Sequence, residues 1–139
     1  MKKKGLIIDD HVVVCKVIEK LLWQHGIEPV RAVDSNQAQT LLREIAQDLA
    51  LIVMDLIIPG GLSGWDMITE IKQSPKFAHI PVIIITGLSL SAVERDKLSK
   101  ISYAFVSKQD FDLQTFNNIL DNLLASENHA ERPALYAKS

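Results

Sequence analysis

Two short stretches of this chain are apolar almost without a break, and they constrain the fold more than any other feature. LALIVM covers residues 49–54, and PVIIITG covers residues 81–87. A strand with one face in water alternates apolar and polar residues, whereas a strand covered on both faces is apolar throughout. Both stretches are much shorter than the roughly 20 residues that cross a bilayer. They therefore predict buried strands in a sheet that carries helices on both faces.

Strand and helix patterns alternate along the rest of the chain. Three further strands are predicted at 4–9, 27–33 and 101–108, and Pro29 places the second of them at a sheet edge. Apolar residues at three- and four-residue intervals predict five helices: 11–24, a helix capped by Asp34 or Ser35, a helix through Met67 to Ile71, 90–100, and 113–124. This alternation predicts an α/β fold, a single doubly wound five-stranded parallel sheet in the order 2-1-3-4-5 with five helices, flavodoxin-like.

Length and composition fit one soluble domain. The chain has 139 residues, of which 47% are hydrophobic and 23% charged. We predict a domain over 1–125 and a loose polar tail over 126–139. The formal net charge of −2 gives no electrostatic basis for nucleic-acid binding. The single cysteine, Cys15, cannot form an internal disulfide. No segment resembles a signal peptide or a membrane span, so we expect a cytoplasmic protein, either a monomer or a weak dimer.

Polar residues stand at the point where each apolar run stops. Asp9 and Asp10 end the first run, Asp55 ends the third, Thr86 ends the fourth, and Ser107-Lys108 ends the fifth. The carboxyl ends of parallel strands share one edge of the sheet, and ligands bind there at the topological switch point. We therefore expect three acids, a hydroxyl group and an ammonium group to meet in one shallow pocket.

Three carboxylates at close range need a counter-charge. Two unit charges about 4 Å apart interact by roughly 4 kcal/mol at an effective dielectric constant of 20. Lys108 supplies one positive charge, and Mg²⁺, which prefers oxygen ligands, would supply two. We expect no histidine or cysteine among the ligands, with His11 facing water in the first helical turn, and hence no transition-metal site.

Four motifs in this order resemble the receiver domain of two-component response regulators. They are DD after the first strand, D-x-x-x-P after the third, T-G after the fourth and F-V-S-K in the fifth. The resemblance covers roughly residues 4–125 and is to stand-alone, chemotaxis-regulator-like receivers. It implies a phosphoacceptor protein that works with a sensor histidine kinase or a histidine phosphotransfer protein and with a downstream protein target.

The resemblance also implies a role for each acid. Asp55 would be the phosphoacceptor. Asp9, Asp10 and Asp55, together with the backbone carbonyl of Ile57, would hold Mg²⁺. An added phosphoryl group acts by charge and by hydrogen bonding, so these positions would control a two-state switch.

Three further residues would respond to the phosphoryl group. The resemblance implies that Lys108 pairs with its oxygens, that Thr86 moves inward to bond them, and that Phe105 turns into the space that Thr86 leaves. This chain has Lys108-Gln109 where the family usually has Lys-Pro with a cis peptide bond. Since a cis bond without proline costs about 2.5–4 kcal/mol, either the bond is trans or strain is stored beside the site.

Other functions remain open at this stage. A degenerate receiver could act as a phosphorylation-independent adaptor. A phosphatase with an aspartyl-phosphate intermediate would need an acid two residues after the nucleophile, where this chain has Ile57. A flavin carrier would bind phosphate where Asp9 and Asp10 would repel it. Ile57 and Leu88 are apolar where receiver domains often have polar residues that help to place water, so the resemblance implies slow self-dephosphorylation. We expect a phosphoacceptor protein rather than an enzyme.

Overall fold

The computed structural model describes residues 3–125, and its centre is a five-stranded parallel sheet in the order β2-β1-β3-β4-β5. The predicted fold and strand order are therefore confirmed. The predicted tail, 126–139, lies outside the described residues. The strands are β1 (Lys3–Ile8), β2 (Ile27–Ala32), β3 (Leu49–Met54), β4 (Val82–Thr86) and β5 (Ala104–Ser107).

Five helices connect the strands and cover both faces of the sheet. Asp34 begins the second helix, and its side chain accepts a hydrogen bond from the Gln37 amide at 2.7 Å. The structure thus selects Asp34 over Ser35 as the cap. The helices are α1 (Val12–Gln24), α2 (Ser35–Ile45), α3 (Gly64–Gln73), α4 (Ala92–Ile101) and α5 (Leu113–Ala125).

The prediction for the segment around residue 101 was wrong. It placed Ile101 at the start of β5, whereas Ile101 ends α4 and the strand begins at Ala104. A capping box between Ser91 and Glu94 begins α4, and the Ser102 hydroxyl donates a hydrogen bond to the Leu98 carbonyl at 2.6 Å at its end. Over residues 3–125, no helix has the length and apolar character that a membrane span requires.

The parallel register brings the acidic strand ends level with each other. Ile8 of β1 pairs with Met54 of β3, so Asp9 and Asp55, which follow them, lie side by side. On the next pair of strands, Thr86 lies beside Ser107. Asp9, Asp55 and Thr86, at the ends of the three middle strands β1, β3 and β4, are all buried.

The loop after Asp55 is attached to the start of α2. The buried Ser35 donates its backbone amide to the Pro59 carbonyl at 2.9 Å and accepts the Leu62 amide on its hydroxyl at 3.0 Å. Gly60 has a φ of 115°, and any side chain there would collide with Ser35. The loop that follows the central acid is therefore held by main-chain contacts rather than left open.

Candidate functional site

Asp9 and Asp55 are buried carboxylates at the ends of β1 and β3, with 3% and 1% of their surface exposed. Backbone amides hold both of them. Asp55 Oδ1 accepts the Ile57 amide at 3.1 Å, and Asp9 Oδ1 accepts the His11 amide at 2.9 Å. Buried charges persist in proteins when they are paired and hydrogen-bonded. Both conditions are met here, because each acid also faces a cation.

That cation is the ammonium group of Lys108, which lies between the two acids. Its Nζ is 2.7 Å from Asp55 Oδ2 and 3.5 Å from Asp9 Oδ2. Burial lowers the pKa of Lys108, but the hydrogen bond that it donates to Asp55 and the charges of both acids outweigh burial and raise the pKa above its ordinary value of 10.5. The Lys108–Gln109 peptide bond is trans. The lysine therefore reaches the acids without the cis bond usual in this family.

Thr86 on β4 and Phe105 on β5 are both buried; in the register, Thr86 pairs with Ser107 and Phe105 with Ile84. The Thr86 hydroxyl accepts a hydrogen bond from the Leu88 amide at 3.2 Å. Phe105 belongs to the apolar cluster beneath α2, α3 and α4. A pocket of about 190 Å³ adjoins both side chains and extends to Arg95 and Asp110. The structure thus brings the two residues together beside open space.

The remaining predicted metal ligands, Asp10 and Ile57, are next to or two positions from the buried acids in the chain and are more exposed than they are. The Asp10 side chain is 46% exposed, and its Oδ1 is 3.3 Å from Nδ1 of His11. The Ile57 side chain is exposed, and its backbone amide contacts Asp55. The metal-ligand roles of Asp10 and of the Ile57 carbonyl remain predictions.

The expectation for His11 was correct about exposure, since 58% of the side chain is exposed, but wrong about its distance from the acids. His11 precedes α1 as its N-cap, and its Nδ1 lies 2.8 Å from Asp9 Oδ1 and 2.8 Å from Lys108 Nζ. An imidazole nitrogen therefore does belong to the group of charges at these strand ends. Its position directly after the two acids was the available signal. The pattern of the chain does not show which way a residue at a helix start turns, so this contact was missed.

The donor set fits a divalent cation. Asp9, His11 and Asp55 each offer one ligand atom, and these three atoms lie within 4.8 Å of one another. Two of the three ligand atoms are carboxylate oxygens in a buried position, as Mg²⁺ sites require. The carboxylates of Asp9 and Asp55 would hold the ion, and Lys108 would have to give up part of its contact with them.

The chain belongs to the response regulator receiver domain family. The family model matches residues 6–121. The polar-differentiation response regulator DivK of Brucella anthropi is 30% identical over 108 residues, which cover 78% of this chain and 85% of that protein. A rice protein, the two-component response regulator ORR12, is 35% identical over 82 residues, 59% of this chain and 66% of that relative.

Solved structures agree with this assignment. A receiver domain protein from Clostridium thermocellum superposes with a TM-score of 0.76 at 25% identity, over 91% of this chain and 97% of that one. The chemotaxis protein CheY4 of Vibrio cholerae gives a TM-score of 0.73 at 17% identity, over 88% and 99% of the two chains. The first likeness supports the family, and the second supports the fold. The relatives are signalling proteins of two-component systems, so this chain is a receiver domain of that class.

Proposed function

We propose that this chain accepts a phosphoryl group on Asp55 and passes the event on through a protein-binding surface. The single observation that supports this most strongly is the buried Asp55 carboxylate in direct contact with Lys108, beside a second buried acid. An unused buried carboxylate pair would be costly, whereas phosphoryl transfer needs an aligned oxygen and nearby positive charge. The donor would be a phosphohistidine of a sensor kinase or of a histidine phosphotransfer protein.

In this reaction an Asp55 carboxylate oxygen forms the new bond to phosphorus while the bond from phosphorus to the donor imidazole nitrogen breaks. The Ile57 amide orients the carboxylate, and Lys108 provides an ammonium group for the phosphoryl oxygens. Bound Mg²⁺, held by Asp9, Asp10, Asp55 and the Ile57 carbonyl, would neutralise charge on the transferring group. The protein contributes mainly alignment and electrostatic stabilisation.

Thr86 and Phe105 would convert this change of charge into a change of surface. The Thr86 hydroxyl would exchange the Leu88 amide for a phosphoryl oxygen, and Phe105 would turn into the volume that Thr86 vacates. Phe105 packs in the same cluster as Leu98, the buried residue of α4. The responding surface would therefore include α4, β5 and α5, and its partner would be a downstream protein rather than nucleic acid or membrane.

The residues that flank the acceptor give the phosphorylated form a long life. Ile57 and Leu88 are both exposed beside the site and carry no group that could orient water. We therefore propose slow self-dephosphorylation and no phosphatase turnover, in a cytoplasmic protein that is a monomer or a weak dimer. An adaptor that needs no phosphorylation is the alternative that the experiment below must exclude.

Intact mass spectrometry tests the proposal directly. The chain is incubated with phosphoramidate or acetyl phosphate in the presence of Mg²⁺, and we expect one added phosphoryl group. Asp55→Asn should abolish the adduct, and Asp66→Asn, which removes an exposed acid in α3, should retain it. Absence of an adduct on the natural chain would favour the adaptor, and retention in Asp55→Asn would place the phosphoryl group elsewhere.

A further inference from the structure

The turn that follows β5 carries Lys108, and the residue before it, Ser107, holds much of that turn. Three consecutive backbone amides are bonded here. The Lys108 amide donates to the Thr86 carbonyl at 2.7 Å. The next two amides, of Gln109 and Asp110, donate to the hydroxyl of Ser107 at 3.1 Å and to its carbonyl at 3.0 Å. Ser107 therefore accepts two of the three bonds, and the proposed function assigns it no role.

The hydroxyl of Ser107 restrains the path of the backbone around Lys108. A serine that accepts amides from the second and third residues after it favours a tight turn. The bond from the Gln109 amide depends on the residue type at 109, because proline there would have no N–H to donate. The Lys108–Gln109 peptide bond is trans, so no cis bond directs this turn. The bonds to Ser107 therefore help to set the direction in which the chain leaves β5.

This restraint matters because Lys108 has a long and flexible side chain. Its ammonium group lies 2.7 Å from an oxygen of Asp55 and 3.5 Å from an oxygen of Asp9. In the proposed reaction a phosphoryl group takes over these contacts, and the side chain must then be directed from its other end, the backbone at 108. Misplacement of a group by about 1 Å can cost about 100-fold in rate. The geometry of the turn therefore affects how well the ammonium group meets the phosphoryl oxygens.

We propose that Ser107 is a positioning residue for phosphoryl transfer to Asp55, and that it acts through Lys108 by holding the turn with its hydroxyl group. The inference rests on the proposed function and adds the group that directs Lys108. Ser107→Ala loses the bond from the Gln109 amide and keeps the backbone carbonyl. Ser107→Thr keeps a hydroxyl group and suits the end of a strand.

The test is the rate at which the full chain gains a phosphoryl group from phosphoramidate with Mg²⁺, followed by intact mass spectrometry. Ser107→Ala should lower this rate at least about fivefold, whereas Ser107→Thr should keep it. In a Lys108→Gln background, followed over longer times, Ser107→Ala should cause no further loss, because the hydroxyl acts through the ammonium group. A residue that merely supports the fold would slow both backgrounds equally.

The matched control is Ser74→Ala. Ser74 accepts the Lys76 amide on its hydroxyl at 3.3 Å and the Phe77 amide on its carbonyl at 3.2 Å, so it holds a turn of the same kind. It lies in the connection from α3 to the amino end of β4, opposite the edge of the sheet where the acids lie. Ser74→Ala should leave the phosphorylation rate unchanged. The hydrogen exchange of the Gln109 amide, followed by NMR, should become about fivefold faster in Ser107→Ala alone.

Three results would overturn the inference and leave the proposed function intact. They are a phosphorylation rate in Ser107→Ala equal to that of the natural chain, an equal loss in the natural and Lys108→Gln backgrounds, and a loss in Ser107→Thr as large as in Ser107→Ala. Unchanged exchange of the Gln109 amide in Ser107→Ala would also overturn it, because the hydroxyl would then not hold the turn. No adduct on the natural chain would instead overturn the proposed function, and this inference with it.

Discussion

The candidate site at the carboxyl ends of the strands has two halves, and they are built differently. In the half formed by β1 and β3, the acids Asp9 and Asp55 are almost fully buried and accept backbone amides from residues two positions further on. In the half formed by β4 and β5, Lys108 reaches across on a long side chain that is 20% exposed, and Thr86 holds only the Leu88 amide. The acids are held by amides of their own loops, whereas the Lys108 ammonium group reaches them at the end of a long side chain.

This difference distinguishes the part of the site that is already positioned for phosphoryl transfer from the part that changes its contacts when a phosphoryl group arrives. The two carboxylates are buried and bonded to amides of their own loops, and the loop after Asp55 is tied to Ser35. A lysine ammonium and a threonine hydroxyl can change partners by rotating side chains. We infer that the acceptor oxygen is preorganised, while Lys108 and Thr86 lose their present contacts when a phosphoryl group arrives.

Lys108→Ala should have the largest effect on stability. Removal of one member of a buried ion pair leaves an uncompensated charge, and two acids would lose their cation here. We expect the free energy of unfolding to fall by about 3 kcal/mol in the presence of a chelator, the low end of the usual range because Lys108 is partly exposed. Urea unfolding should show that added Mg²⁺ restores more stability to this variant than to the natural chain.

The control for this prediction is another lysine in an ion pair. Lys100 pairs with Asp96 at 3.2 Å on the exposed surface of α4. Lys100→Ala should cost no more than about 0.5 kcal/mol, and Mg²⁺ should have no additional effect on it. If the two variants lose similar amounts, the acids do not depend on Lys108 and the contrast between the two halves is wrong.

Thr86→Val should have a smaller effect on stability and a specific effect on signalling. It removes one hydrogen bond, to the Leu88 amide, at a cost of about 1 kcal/mol. Phosphorylation of Asp55 should continue, since the acidic half is intact. The change in hydrogen exchange of α4 and β5 on phosphorylation should be lost, and Thr86→Ser should retain it. A normal exchange response in Thr86→Val would show that the signal does not pass through this hydroxyl.

The smallest expected effect is a decline in stability at alkaline pH. Burial raises the pKa of the Cys15 thiol above its ordinary value of 9.0, and the thiol donates a hydrogen bond to the Asp9 backbone carbonyl at 3.4 Å. A group whose pKa is higher in the folded state stabilises the fold fully below the unfolded value, and this contribution is lost as the pH rises through the folded value. Both Cys15 and Lys108 therefore lower stability as the pH rises, beginning near 9.0 and 10.5 respectively.

Cys15→Ala separates the two contributions. Between about pH 8 and about pH 10, the natural chain should lose unfolding free energy while the variant changes less, as followed by urea unfolding at each pH. Identical slopes in the two proteins would show that the thiol beneath the acidic half is not kept neutral by burial.

Much of the fold could be predicted from the pattern of apolar and polar residues in the sequence. The unbroken apolar runs over 49–54 and 81–87 contain two central strands, and Asp9, Asp55 and Lys108, which follow three of the strands, do meet. The residue at which β5 begins could not be predicted from the sequence. Ile101 is apolar in either a helix or a strand, and only the packing of α4 shows that it belongs to the helix.

The sequence by itself determined the order of elements, the family and the position of the acids, because the alternation of apolar runs is a local property and each acid follows its own strand. Only the tertiary structure decided how the side chains meet: that Lys108 lies between Asp9 and Asp55, and that the exposed His11 places its Nδ1 against Asp9 and Lys108. Those directions depend on contacts between residues about a hundred positions apart, and no local pattern records them.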